Sequence, residues 1–273
     1  MGKAKIKIGI VGCGTIGSQL ALAIEKRFAD QATLLALFDI DKDKAIELKK
    51  SCSSDPKIVT QEALIATCDL IIEAASVQAS YDVAKKALAK GKDVMIMSSG
   101  GILEKAAEIF ELARKSNCRI YLPSGALCGL DAVKSAAMAK VNRATLTTRK
   151  PPKGLAGAPY LKEKEIDLSL ITQETVIFEG NALAAIKGFP KNVNVCAALS
   201  LAGIGAEKTI VKIITSPEYK ANMHEIQLEG DFGKLLARTE NVASPNNPKT
   251  SYLASLSAIA TLDNILGSVK IGT

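Results

Sequence analysis

Apolar positions in the first half of the chain follow two alternating patterns. Runs at residues 5–12, 33–39, 70–72, 94–97 and 119–122 read as strands, the first of them alternating and the later ones short runs of apolar, partly β-branched residues. Between them, residues 16–29 carry Leu20, Leu22, Ile24 and Phe28 at helical spacing, and residues 42–51, 81–90 and 102–116 read as further helices. A strand that is apolar on both faces must be covered on both, and strand–helix alternation is the signature of a parallel sheet flanked by crossover helices. The expected fold class is therefore α/β: a Rossmann-type doubly wound parallel sheet, with a second, smaller α+β domain after it.

The pattern changes at residues 147–160 (TTRKPPKGLAGAPY), where prolines and glycines cluster and regular structure is expected to stop. Beyond lie a strand at 175–178, helical material from 181 through 201, and strands at 208–215, 224–229 and 234–239. Strand runs of this kind pair antiparallel by preference. After the Asn247-Pro248 break a final helix is expected, capped by Thr250 or Ser251 and running through Leu266.

The turn after the first strand carries chemistry. Gly12, Gly14 and Gly17 form G-x-G-x-x-G in the sequence GCGTIG. Three glycines at this spacing mean little by themselves. Here they follow a strand, open an amphipathic helix, and are followed some 20-odd residues later by the acidic Asp39 at the end of the next strand. Gly12 permits the tight turn, Gly14 lets the backbone approach a pyrophosphate, and Gly17 lets helix and strand pack closely. The amides of Thr15, Ile16 and Gly17 then face an anion at the positive end of the helix. Asp39 would accept hydrogen bonds from ribose hydroxyls and repel a 2′-phosphate, which favours NAD over NADP. Lys42 and Lys44 soften that preference, and Asp41 competes for the same role, so NADP stays open.

Ligands of such sheets bind beyond the carboxyl ends of the strands. Small residues dominate those ends here, with Ala75, Ser99 and the 123–129 segment PSGALCG all leaving room for a flat ring. They also suit ordinary tight turns. The expected division is residues 1–143 for dinucleotide binding, 144–246 for a substrate and catalytic domain, and 247–273 for a C-terminal helix that packs back on the first domain.

Composition narrows the partners. Of the 273 residues 48% are hydrophobic, which excludes disorder as the main state, while charge-free stretches are too short to cross a bilayer. The net charge is +7, yet Lys and Arg are scattered, aromatics make up 4% and there is no Trp to stack on bases, so nucleic-acid binding is not expected. The first residues lack the pattern of a signal peptide, and a cytoplasmic location is expected. Six cysteines without a C-x-x-C pair, and one histidine, make no zinc site, so no metal is expected.

That one histidine, His224, shares a strand face with Ile226 and Leu228, while Glu225, Gln227 and Glu229 point the other way. It therefore looks inward, as a core histidine would, or as a proton carrier beside a hydride acceptor would. Two further segments gather polar groups at expected helix starts. Asn192 and Asn194 follow Phe189-Pro190 and suit either caps or ligand contacts. Lys249, Thr250 and Ser251 combine ammonium, hydroxyls and helix dipole into a carboxylate site, or else leave a solvated lysine beside a cap.

The whole set resembles the L-aspartate dehydrogenase family. The matching segments are GIVGCGTIG, the acidic end of the second strand, SGALCGLDAV, FPKNVNVCAALSLAG, NMHEIQLEG and NPKTSYLASLSA. The resemblance implies that His224 is catalytic and that Asn194 and the backbone around Cys128 touch NAD, although the family usually has a smaller residue where Cys128 stands. It implies NAD(P)-dependent oxidative deamination of L-aspartate to iminoaspartate, then oxaloacetate and ammonia, feeding NAD synthesis, in a homo-oligomer, expected as a dimer. With two substrate carboxylates to hold, Asn192, Lys249, Thr250 and Ser251 are the substrate-binding candidates. The alternatives are another Rossmann-type oxidoreductase on a small amino acid or hydroxy acid, homoserine-dehydrogenase-like, or a non-catalytic NAD-responsive regulator.

Overall fold

The computed structural model describes residues 4–190, 193–245 and 247–272. They form two compact units, 1–123 with 255–270 and 124–254 with 271–273.

The first unit is built from β1 (Ile6–Val11), α1 (Thr15–Arg27), β2 (Ala32–Phe38), α2 (Lys42–Lys50), β3 (Lys57–Ile58), α3 (Gln61–Thr67), β4 (Leu70–Glu73), α4 (Val77–Ala89), β5 (Asp93–Ile96), α5 (Ala106–Lys115) and β6 (Ile120–Tyr121). Its six strands are parallel in the order β3-β2-β1-β4-β5-β6, the doubly wound arrangement with its reversal between β1 and β4. Ile8, Ile10, Leu70, Ile72 and Met95 are fully or almost fully buried, as strands covered on both faces must be. The short β3 and α3 are too brief to show in the hydrophobic pattern.

The second unit holds α6 (Leu130–Ala136), β7 (Val141–Lys150), α7 (Pro152–Leu155), α8 (Pro159–Glu163), β8 (Thr175–Asn181), α9 (Ala182–Gly188), α10 (Val193–Ala202), β9 (Thr209–Thr215), β10 (Asn222–Gly230), β11 (Gly233–Asn241), β12 (Ala243–Ser244), β13 (Asn247–Ser251) and α11 (Tyr252–Leu266). Five strands pair in the order β11-β10-β7-β9-β8. One face packs on a core of Leu146, Val211, Ile213, Ile226, Leu228, Cys196 and Leu199. From Ser255 onward α11 belongs to the first unit, where Ala258 and Leu262 are buried among Leu20, Ile24 and Leu34.

Several expectations change here. The strand runs are not all antiparallel: β7 and β9 pair in parallel, from Ala144 with Thr209 to Lys150 with Thr215. Residues 147–150 are not loop but the end of the ten-residue β7. The prolines expected to forbid structure beyond them instead open α7 and α8, where a missing N–H is no loss. Helical material from 181 to 201 is two helices broken around Phe189-Pro190, and Asn247–Ser251 is a strand that leads directly into α11. Residues 124–143, expected with the first unit, belong to the second because Val133 and Ala136 of α6 are buried in its core. No helix among the described residues is long and apolar enough to cross a membrane.

Candidate active site

The first unit holds the glycine turn. Gly12 has φ +100°, and a Cβ there would lie 2.5 Å from the Ala74 carbonyl and the Ala75 nitrogen. At Gly17 a Cβ would lie 1.9 Å from the Gly12 oxygen, so helix α1 approaches β1 closely only without one. Gly14 differs: a Cβ there would meet nothing within 4 Å. Gly14 is also the N-cap of α1, makes no side-chain capping bond, and no acidic residue stands in the helix's first turn. An open space over an uncapped helix start with no acidic residue in its first turn fits a dinucleotide's pyrophosphate, held by the backbone of Gly14, Thr15, Ile16 and Gly17.

Asp39 lies just past β2 beside this turn. Its Oδ2 accepts from the Cys13 amide at 2.7 Å and its Oδ1 from the Asp41 amide at 2.9 Å. The carboxylate is thereby fixed at the turn's edge, with lone pairs left for ribose hydroxyls. Asp41 has another task, capping α2 through the Asp43 amide at 3.2 Å. Burial, followed by the Asp39 charge, pushes the Cys13 thiol up to about 12, so it stays protonated.

Ala75 is exposed and Ser99 buried on two loops that a single residue joins. Glu73, fully buried at the end of β4, accepts from the Ala75 and Ser76 amides at 2.8 and 3.1 Å, and from the Ser98 amide and hydroxyl, both at 3.0 Å. Burial raises its pKa against the pull of these bonds. The sequence reading passed over Glu73 because it ends an apolar run, where a carboxylate looks like the start of a loop. Glu73→Gln would present an NH2 group to donors that need an acceptor. Leaving such donors unmet costs about 1–3 kcal/mol each, so thermal denaturation should show a clear loss of stability in this variant.

The second unit holds the lone histidine. His224 is 6% exposed on β10, inward with Ile226 and Leu228 as its strand alternation requires. Its Nδ1 lies 3.0 Å from the hydroxyl of Thr148, its direct partner across β7. That contact fixes the ring through Nδ1. Burial, and then the Lys150 ammonium, push the imidazole's pKa down to about 3. The ring is neutral at physiological pH.

Around it the inner sheet face turns polar. Lys150, two residues past Thr148 and so on the same face, is 7% exposed. On β11, Thr239 pairs with His224 and Asn241 with Asn222. The Thr239 hydroxyl and Asn241 amide both donate to the Ala126 carbonyl, at 2.9 and 3.2 Å, tying down the segment that carries Cys128. Asn241 Oδ1 accepts from the Ser251 hydroxyl at 2.7 Å. A cavity of about 940 Å³ opens over this end of the sheet, lined by Lys150, Lys153, Lys220, Asn222, Asn241, Thr250 and Ser251 among others.

The structure thus brings Thr250 and Ser251 to one cavity with Lys150, which the sequence reading missed by taking residues 147–160 for a loop. Asn194 is exposed at the start of α10, and Cys128 is half-buried just before α6, its thiol pushed up by burial. Asn192 lies outside the described residues, and Lys249 is placed within β13 by its backbone alone. All six cysteines are free thiols.

A doubly wound sheet with a dinucleotide turn, joined in one chain to a sheet domain bearing a buried, neutral histidine, defines a Rossmann-type dehydrogenase. Residues 131–265 match the family model described as aspartate dehydrogenase, C-terminal, and residues 12–123 match that of the homoserine dehydrogenase NAD-binding domain. The L-aspartate dehydrogenases of Methanosarcina mazei and Methanosarcina acetivorans are 49% and 50% identical over 271 residues, covering 98% of this chain and all of each relative. The crystal structure of aspartate dehydrogenase from Thermotoga maritima covers 98% of this chain and 100% of its own, with 25% identity and a TM-score of 0.76. A homoserine dehydrogenase from Thiobacillus denitrificans shares the fold at 12% identity and a TM-score of 0.64. The chain belongs to the L-aspartate dehydrogenase family.

Proposed function

We propose that the protein oxidises L-aspartate at Cα with NAD, giving iminoaspartate that water converts to oxaloacetate and ammonia, and that this reaction feeds NAD synthesis. Bound nicotinamide supplies the hydride acceptor. Gly14, Thr15, Ile16 and Gly17 would hold its pyrophosphate and Asp39 its ribose, with Ala75, Ser99, Asn194 and the Cys128 backbone as further contacts. The remaining chemistry is proton management, and the single observation that carries this reading is His224, buried, neutral and fixed through Nδ1 by Thr148.

Removing a hydride from Cα requires the amine to lose a proton, because only the free amine's lone pair can form the C=N bond. Nε2 of His224 accepts that proton, or the one lost by water as it attacks the imine. A pKa of about 3 reflects the ring's burial first and the nearby Lys150 ammonium second. Substrate carboxylates near Lys150 offset that charge and raise the ring's affinity for the proton it must carry.

Purified protein given L-aspartate, L-alanine, L-homoserine and L-malate, each with NAD and with NADP, should form reduced nucleotide fastest with L-aspartate. Faster turnover of homoserine or malate would remove the substrate assignment. Within the same panel, Asp39→Ser should shift the preference from NAD toward NADP by about 10-fold or more, since one charge repulsion and a pair of ribose hydrogen bonds disappear together. An unchanged ratio would show that Asp39 does not read the ribose.

A further inference from the structure

Glu73 is the last residue of β4 and, among the residues whose burial is described, the one buried aspartate or glutamate. A buried carboxylate is costly unless donors meet it. Four do here, and they come from two loops: the Ala75 and Ser76 amides on one side, the Ser98 amide and hydroxyl on the other. The backbone repeats the tie. The Glu73 carbonyl accepts from the Met97 amide at 2.9 Å, and the next amide, that of Ala74, donates to the Val11 carbonyl at 2.8 Å. One residue therefore joins the carboxyl ends of β1, β4 and β5. A buried polar network whose members are all met holds a single arrangement of the groups around it, whereas an apolar side chain at this position would leave both loops free to shift.

The place of those loops gives the network its use. The strand order reverses between β1 and β4, and a dinucleotide bound across that reversal puts one mononucleotide over each half of the sheet. Asp39, fixed by the Cys13 and Asp41 amides at the end of β2, is the proposed partner of the adenosine ribose, which assigns the β2 side to the adenosine half. The nicotinamide half then falls over the ends of β4 and β5. These are the loops that Glu73 holds, one of them exposing Ala75. Gly12 packs directly against Ala74 and Ala75, so the same loop is also set against the turn that takes the pyrophosphate.

We propose that Glu73 is a positioning residue for the nicotinamide half of the cofactor, ordering residues 74–76 and 98–99 before the ring arrives while touching no ligand itself. This role rests on the dinucleotide part of the proposed function and is independent of the substrate. Loops that are already ordered spare the nucleotide the cost of ordering them on binding. The carboxylate therefore adds affinity for the half that lies over those loops, and none for the half held at Gly14 and Asp39.

The test is calorimetric binding of NAD and of ADP, which lacks the nicotinamide half, to the wild-type protein and to Glu73→Gln below its unfolding transition. Glu73→Gln should weaken NAD about 10-fold and leave ADP within about 2-fold of the wild type. Equal or greater weakening of ADP would mean that the carboxylate supports the whole nucleotide turn, and unchanged NAD binding would mean that it serves the fold alone. Either overturns the proposal. Wild-type protein that binds neither nucleotide sinks the dinucleotide reading and this role with it, whereas wild-type binding of both, weakened equally in the variant, sinks this role alone.

If Glu73→Gln does not fold, amide hydrogen exchange in the wild-type protein answers instead. The Ala75, Ser76 and Ser98 amides exchange when their bonds to Glu73 open, and the Cys13 amide when its bond to Asp39 opens. Binding and the bonds it depends on stabilise each other reciprocally. With each nucleotide at the same multiple of its dissociation constant, NAD should slow the three Glu73-bonded amides about 10-fold more than ADP does, while both slow Cys13 alike. Equal slowing of those three amides by NAD and ADP overturns the proposal.

Discussion

Replacing His224 with alanine is expected to lower kcat/KM for L-aspartate by about 10²- to 10⁴-fold, with nucleotide binding intact. In the proposed mechanism the ring takes the amine's proton, and Thr148 holds it in place without being able to replace it. Its depressed pKa also fixes the shape of the pH profile. The free enzyme's imidazole is already neutral well below pH 6.5, so the kcat/KM profile of the wild type should show no limb at the ordinary histidine value. The profile should instead stay level through that region, because the neutral ring and the substrate's ammonium, the pair that exchanges the proton, both persist across it. A limb near 6.5 that vanishes in His224→Ala would contradict the buried, neutral ring.

The same shift acts on stability. Between pH 6.5 and about 3 the unfolded chain binds a proton at this ring that the folded chain does not. Stability is therefore complete above the unfolded value and is lost as the pH falls through this window. His224→Ala removes that part of the acid sensitivity, which denaturation at pH 7 and pH 4 would show.

The second large effect separates fold from binding within one motif. Gly17→Ala places a Cβ 1.9 Å from the Gly12 carbonyl oxygen, a backbone atom that cannot swing aside. Helix α1 must move off β1, with a loss of about 1–3 kcal/mol from overpacking and a collapse of nucleotide affinity. Gly14→Ala should behave differently. Its Cβ meets nothing within 4 Å of protein, so the melting temperature should hold while NAD binding falls, because the methyl occupies space meant for the pyrophosphate. Equal loss of stability in both variants would show that the space at Gly14 is structural.

Much of the first unit was legible because parallel strands buried on both faces read as continuous apolar runs. The strand ends then located the loops of Ala75 and Ser99, although the carboxylate joining those loops was missed. The second unit was harder for a physical reason. The inward positions of β7 run Ala144, Leu146, Thr148, Lys150, so the apolar alternation that reveals a strand disappears where the strand enters the site. The residues that do chemistry there are polar and buried, and pattern reading takes such residues for surface. His224 escaped this only because Ile226 and Leu228 beside it kept the alternation visible. Lys150 had no such neighbours on its far side, where Pro151 and Pro152 suggested a loop. The parallel pairing of β7 with β9 joins residues about 65 positions apart along the chain, and local pattern carries no trace of it.

Mass analysis of the nucleotide formed from L-aspartate deuterated at C2 tests the central claim most directly. Hydride transfer from Cα in this protein predicts that the reduced nucleotide carries one deuterium from the substrate, and that His224→Ala slows its appearance without changing its isotopic content. Reduced nucleotide without deuterium, or none at all from the wild-type protein, would contradict the account.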